Sequence, residues 1–397
     1  MIKKIAYIFF IISIIFTFVS CDLNNIPAEL SKVEYEEYKY LQQNMKEIDI
    51  TDNSFAALAD FNESVKDYNL FFVGENHYVA KNYDIQFYLL KNFVENHGVR
   101  YILLEYGFAN GQYLNMYLES GDTSILDDVN MLGAYMSKES YEFYVKVYEY
   151  NKTLPEDKKL MFVGIDISQL LITGISYLHE ILPEQSVPKE LKTLNKLREI
   201  ELNEDITRQQ LIEILKIVLE EIENNIDIYN LYFKKETFNF KFMLENILQM
   251  DDLISDYTAS SEKREDYIRG NFVTLYEHYN KAKYFGIYGS THLEQSPTIN
   301  NFASFIDNEY EATKGKALYI IPVYHNCKYY TRDGRTADVS GVAKLSTLEL
   351  LSESDFTLFN IADNDKFIAE NKNLNKLLNY RHYILFIQNS PAITKLK

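Results

Sequence analysis

The chain has 397 residues, 47% hydrophobic and 25% charged, which is enough apolar mass to bury a large core. Its 58 acidic against 40 basic residues leave a net charge of −18, the wrong sign for a nucleic-acid-binding surface. With 14 Gly, 7 Pro and 2 Cys, collagen-like, Pro-rich and disulfide-scaffold architectures are excluded.

Residues 1–21 read as an export signal. Lys3 and Lys4 precede an uncharged, mostly apolar run over 5–19, shorter than a bilayer-spanning helix needs, followed by Ser20 and Cys21. Phe18-Val19-Ser20-Cys21 resembles the lipobox of bacterial lipoproteins, with Phe18 where Leu is usual; there the Cys carries the lipid and becomes the new N-terminus. The expectation is an exported protein held to a bacterial membrane in the cell envelope by a lipid on Cys21. Its acidic body has no attraction of its own for anionic lipid. With Cys21 so used, Cys327 has no partner for an internal disulfide. Residues 22–53 are expected to form a tether and an N-terminal helix, and 54–397 a single domain.

Beyond the tether the pattern alternates. Polar-rich helical stretches fall around 31–47 and 54–67. A first strand over 69–73 runs into Gly74-Glu75-Asn76-His77. An amphipathic helix over about 83–97, spaced by Ile85, Leu89 and Phe93, stops at Gly98. A second strand over 101–104 leads to Glu105-Tyr106-Gly107, and helices over 109–119 and on to about 153 follow. The third strand, 160–163, ends in Gly164-Ile165-Asp166. Residues 187–282 are heavily charged and read as helical almost throughout, an insert or lid subdomain. The fourth strand, 284–288, ends in Gly289-Ser290-Thr291-His292; the fifth, 317–323, ends near His325; further strands fit 355–361 and 383–388. Short apolar strands between helices predict an α/β fold, a mostly parallel sheet flanked by helices.

In such sheets ligands bind beyond the carboxyl ends of the strands. Four strands finish there in acids or histidines: Glu75 with His77, Glu105, Asp166 and His292. If the chain stays extended through 74–77, Glu75 and His77 project to one side. A carboxylate beside an imidazole fixes its tautomer and raises its basicity, so a neutral His77 is expected to take a proton from water that attacks a carbonyl. There is no G-x-S-x-G, P-loop or G-x-G-x-x-G, so water activation fits better than a covalent nucleophile.

These strand exits, in this order, resemble the erythromycin esterase-like superfamily, as does Arg264-Glu265 followed by Asn271 just before the fourth strand. The resemblance runs from about 65 to 300. It implies a hydrolase with His77 as general base, Glu75 and Glu105 supporting it and positioning water, and His292 and Arg264 completing the site. A small-molecule ester or lactone would be the substrate. Asp166, Asn271, Tyr106 and His325 are supporting or substrate-binding candidates. In the esterases two residues usually separate the first Glu from the His, whereas here Asn76 stands alone between them. The shorter form resembles ChaN-type haem-binding lipoproteins and, more distantly, Tiki-type metal-dependent proteases. Two alternatives therefore stand beside the hydrolase: a haem- or iron-binding lipoprotein without catalysis, and a site where Glu75, His77, Glu105 and His292 hold one divalent metal.

The remaining histidines have plainer readings. His97 is expected to serve a helix C-terminus as a cation, His179 and His278 to lie on helices, and His382 to open a strand at the far end. Cys327 reads as a small buried hydrophobe. The last helix of the insert is expected to bring Arg264 over the strand ends.

Overall fold

The apolar runs become the strands of one sheet, in a computed structural model that describes residues 30–128, 136–168, 170–200, 206–255, 260–294, 301–331, 333–339, 346–361, 370 and 382–396. The signal segment and Cys21 lie outside the described residues. In chain order the strands are β1 (Met45–Glu47), β2 (Leu70–Glu75), β3 (Tyr101–Gly107), β4 (Met161–Asp166), β5 (Tyr284–Gly289) and β6 (Ala317–His325). After them come β7 (Lys328–Tyr330), β8 (Thr336–Asp338), β9 (Phe356–Asn360) and β10 (Tyr383–Gln388). Eight of them pair in the order β1-β9-β10-β6-β2-β5-β3-β4, and β7 and β8 form a separate hairpin. From β10 to β4 every pairing is parallel, while β1 and β9 are antiparallel additions at one edge.

The central strands are apolar on both faces because both faces are covered. Leu70, Phe71, Phe72 and Val73 of β2 are all buried, as are Ile102, Leu103 and Leu104 of β3. Helix Lys81–His97 packs against β2 and β5, and helix Phe108–Ser120 against β3 and β4. A smaller cluster covers the β6, β9 and β10 end, where Leu41 of helix Lys32–Gln43 meets Leu348, Phe359 and Phe386. Here the sequence expectation of one helix over 31–47 is corrected. The helix ends at Gln43, and Met45–Glu47 pair with β9 as an edge strand too short to show periodicity.

The 187–282 region holds no strand among its described residues; its longest pieces are helices Arg208–Asn224, Thr237–Ser255 and Ser260–His278. The last two return to the sheet. Helix Ser260–His278 packs on β4, and helix Thr237–Ser255 packs on Leu171–Glu180, the helix that follows β4.

Glycines set the closest approach. β3 passes directly into helix Phe108–Ser120 at Gly107, and a Cβ on Gly164 of β4 would stand 2.1 Å from the Gly107 carbonyl oxygen. Gly111 is tight as well, since a Cβ there would stand 2.7 Å from the Gly164 backbone nitrogen. Backbone cannot retreat as a flexible side chain can, so Gly164→Ala is expected to cost about 3 kcal/mol or more in chemical denaturation. Gly270, mid-helix with open space around it, should respond oppositely: Gly270→Ala is expected to add about 0.5–1 kcal/mol.

Candidate active site

The register of the parallel strands brings the polar exits together. β2 and β5 pair so that Glu75 stands opposite Gly289. β3 and β4 shift register between Leu104 and Gly107, an irregularity that spans Glu105. The Gly289 N–H donates to Glu105 Oε2 at 2.8 Å. A Cβ on Gly289 would lie 3.2 Å from both that oxygen and His77 Nε2, so this glycine keeps the space between the two groups open.

Glu75 and His77 meet at the mouth. His77 Nδ1 lies 2.6 Å from Glu75 Oε1, so Nδ1–H donates and the lone pair of the neutral ring falls on Nε2. The other Glu75 oxygen accepts from Nε2 of Gln86, a buried residue of helix Lys81–His97, at 2.7 Å. The His77 ring is half-exposed, and its Nε2 faces Glu105 Oε2 at 3.8 Å. The bond to Glu75 holds His77 up at about 9, against the cost of partial burial and with help from Glu105.

Behind them lies a charged layer. Arg264, from helix Ser260–His278, places Nε 3.1 Å from Asp166 Oδ1 and Nη2 against Asp166 Oδ2, while Nη2 also donates to Glu105 Oε1 at 3.1 Å. Asp166 is completely buried and accepts the Ile167 N–H as well. His292 sits between two acids, Nε2 3.1 Å from Glu105 Oε1 and Nδ1 2.5 Å from Glu265 Oε1, the latter aligned as an ion pair rather than a straight hydrogen bond. Burial opposes charge on His292, but the two carboxylates outweigh it and raise the ring to about 10. Burial likewise works against a charged Glu105, yet His292, His77 and the Gly289 N–H hold it down at about 2. Glu105 is therefore a fixed anion and His292 a fixed cation at neutral pH.

The structure thus brings together Glu75, His77, Glu105, Asp166, Arg264 and His292. Asn271 is buried one layer back, where its Nδ2 donates to the Ile165 carbonyl and its Oδ1 accepts from Gln249. Tyr106 lines a cleft with Asn110, Leu114, Met136 and Tyr144, and its hydroxyl lies within electrostatic reach of Glu75 and Glu105. His325 is not part of the cluster: its Nδ1 pairs with Glu349 at 2.9 Å and its ring stacks on Phe386. Cys327 is buried, its thiol pushed up by burial and donating to backbone carbonyls of His325 and Ile387. The cationic role expected for His97 is corrected, since burial lowers it to about 4, its Nε2 meets Asn62 and Gly98 caps the helix.

Glu265, Gln86, Asn82 and Tyr324 were not among the sequence candidates. Glu265 stood in the Arg264-Glu265 motif of the sequence but was given no role there, because its partner His292 is brought to it only by the fold. A divalent metal held by Glu75, His77, Glu105 and His292 does not fit this arrangement. Both His292 nitrogens face carboxylates and His77 Nδ1 is bonded to Glu75. Among the described residues no three acid, His or Cys side chains are placed to hold one metal ion.

No family model matches the chain. Erythromycin esterase type II of Escherichia coli is 28% identical over 130 residues, which is 32% of this chain and 29% of that protein. The chain thus aligns with less than a third of that relative's length. Among solved structures, a Bacillus cereus protein superposes with a TM-score of 0.70 at 14% identity, covering 92% of this chain and 99% of its own. A succinoglycan biosynthesis protein follows with a TM-score of 0.68 at 14% identity, covering 92% of this chain and 100% of its own. A mutant of the erythromycin esterase EreC in its open conformation gives 0.57 at 13% identity, covering 87% and 98%. The solved structures show that the chain shares their α/β fold, and the esterase is similar in sequence over about a third of the chain.

Arg264 joins two carboxylates that would otherwise repel each other. Arg264→Met should therefore destabilise the protein by about 2–3 kcal/mol in urea. That is below the ~3–5 kcal/mol of a fully buried pair, because Arg264 is 29% exposed. Adding Asp166→Asn to that variant should recover part of the loss.

Proposed function

We propose that this chain, similar in sequence and fold to the erythromycin esterase-like superfamily, is a hydrolase that cleaves an ester bond, lactones included, with water activated by His77. One observation carries the reading: the half-exposed His77 ring is oriented by a carboxylate through Nδ1, while its Nε2 lies 3.8 Å from the fixed anion Glu105. A water resting against both atoms is within hydrogen-bond reach of each. Neutral His77 takes its proton through Nε2, the imidazolium that forms is stabilised by Glu75, and the hydroxide attacks the ester carbonyl. Glu105 aims the water, and Arg264 and His292 keep Glu105 ionised and supply positive charge on the side where the oxyanion develops. The proton then passes from His77 to the leaving alkoxide, which completes hydrolysis without a covalent intermediate.

The same reading places the protein in the cell envelope, tethered through a lipid on Cys21. Among the described residues no helix is long and apolar enough to cross a membrane, so the tether would be the N-terminal lipid alone.

The test is mass spectrometry of water addition to a panel of macrolactones and simple esters. Wild type should add one water, and His77→Ala should lose about 10²- to 10⁴-fold in rate. Because the bond to Glu75 holds His77 protonated until about pH 9, kcat/KM should climb about tenfold per pH unit below that value and level off above it. No turnover of any substrate, combined with a Soret band on titration with haem, would overturn the hydrolase reading in favour of a haem-binding protein.

A further inference from the structure

His77 presents a difficulty of its own. Its ring is half-exposed, so packing alone does not hold it, yet its Nδ1 keeps a 2.6 Å contact with Glu75. The residues on either side of it supply the constraint. The Asn76 N–H donates to the Tyr324 hydroxyl at 2.9 Å, and the hydroxyl donates to Asn82 Oδ1 at 3.0 Å. Asn82 Nδ2 in turn donates to the Asn76 carbonyl at 2.9 Å, which closes a ring of three hydrogen bonds around the residue Asn76, holding the peptide units on both sides of its Cα. Asn82 is buried at the start of helix Lys81–His97, one turn before Gln86, which fixes Glu75. Tyr324 comes from β6, 248 positions away along the chain.

On the other side, Tyr78 adopts a φ of +69°, a conformation unusual for a side chain of its size. Its carbonyl accepts from the Ile393 N–H at 3.1 Å and from the Tyr330 N–H of β7 at 3.3 Å. The Ala80 N–H then donates to the Pro391 carbonyl at 3.0 Å. Both peptide neighbours of His77 are thus tied to segments beyond residue 320, where the sequence likeness to the esterases does not reach.

From this ring we infer that Tyr324 and Asn82 are positioning residues for His77: they clamp Asn76 so that the single residue between Glu75 and His77 turns both side chains to one face. Two of these bonds hold the Asn76 N–H and carbonyl, the third locks their partners to each other, and together they fix the direction in which the chain enters His77, while Glu75, fixed by Gln86, waits at the matching place. This deepens the proposed function, since it explains how a spacing one residue shorter than the esterases' still delivers an oriented imidazole, and it rests on that reading for its catalytic meaning. The geometric claim stands apart from any substrate.

The experiment uses the full chain, uniformly labelled with 15N. The groups facing His77 are Glu75, Glu105 and His292, with the Tyr78 ring beside it, and none of them is altered by the variants. The His77 Nδ1–H signal, assigned by its loss in His77→Gln, should exchange with solvent about tenfold faster in Tyr324→Phe and in Asn82→Ala. Backbone amides of β3 and β4 should keep their protection in both. If the ester panel yields a substrate, kcat should fall about tenfold in both variants while KM stays within about twofold. Unchanged Nδ1–H exchange with the core intact would overturn the assignment. Loss of core protection in both variants would overturn it equally, by showing that these residues hold the fold and not the loop. An inactive wild type with faster exchange in the variants would refute the hydrolase and leave the clamp standing.

Discussion

A guanidinium set against the ends of buried strands has to be neutralised where it sits, and the way Arg264 meets that demand organises the rest of the site. It lies between Asp166, which is wholly buried, and Glu105, joining β4 to β3 and both to the helix that precedes β5. Without it, two carboxylates would face each other in a region of low dielectric. With it, Glu105 is pinned on one side and offers its other oxygen to the Gly289 N–H and to the space beside His77. The insert is thereby bound to the strand ends. Asn246 reinforces the junction from helix Thr237–Ser255, donating to the Asp166 carbonyl and accepting from the Ser168 N–H.

Around that bridge the charges divide into fixed and movable groups. Glu105, held at about 2, and His292, held at about 10 between Glu105 and Glu265, keep their charges across the working range of pH. Their stabilising effects are lost in opposite directions. Glu105's contribution is complete above its ordinary 4.5 and fades as pH falls toward 2. That of His292 is complete below its ordinary 6.5 and fades as pH rises toward 10. His77, held at about 9, is likewise a cation at neutral pH, but it differs in its surroundings: only one carboxylate touches it, the other stands off at 3.8 Å, and half its side chain meets water. It is the group in the cluster placed both to change charge and to touch a substrate.

Much of this was legible in the sequence, for physical reasons. Parallel strands covered on both faces must be continuous apolar runs, so the runs at 69–73, 101–104, 160–163 and 284–288 announced themselves. The structure lengthens the first three to include Glu75, Glu105 and Asp166, because neighbouring strands still offer backbone partners there, while the fourth stops at Gly289 and His292 lies in the short helical turn Ser290–Leu293. Glu75, Glu105, Asp166 and His292 were readable as a set because strand exits in such a sheet share one end. The edge strand β1 and the hairpin β7–β8 were not, being three residues long and without apolar alternation. The roles of Tyr324, Gln86 and Glu265 were hidden for another reason: each acts through a contact made only by the folded chain, and the motif that includes Glu265 does not show that His292 is its partner. His325 shows the converse, a residue at the right end of a strand whose ring turns to Glu349 and Phe386.

The account turns on the Glu75–His77 pair, and one measurement addresses it without any substrate: the titration of the His77 ring by NMR in wild type and in Glu75→Gln. The account predicts a midpoint near 9 in wild type that falls toward 6.5 when the carboxylate is replaced. A wild-type midpoint near 6.5 that Glu75→Gln leaves unmoved would contradict it, because His77 would then be an exposed imidazole that no carboxylate orients.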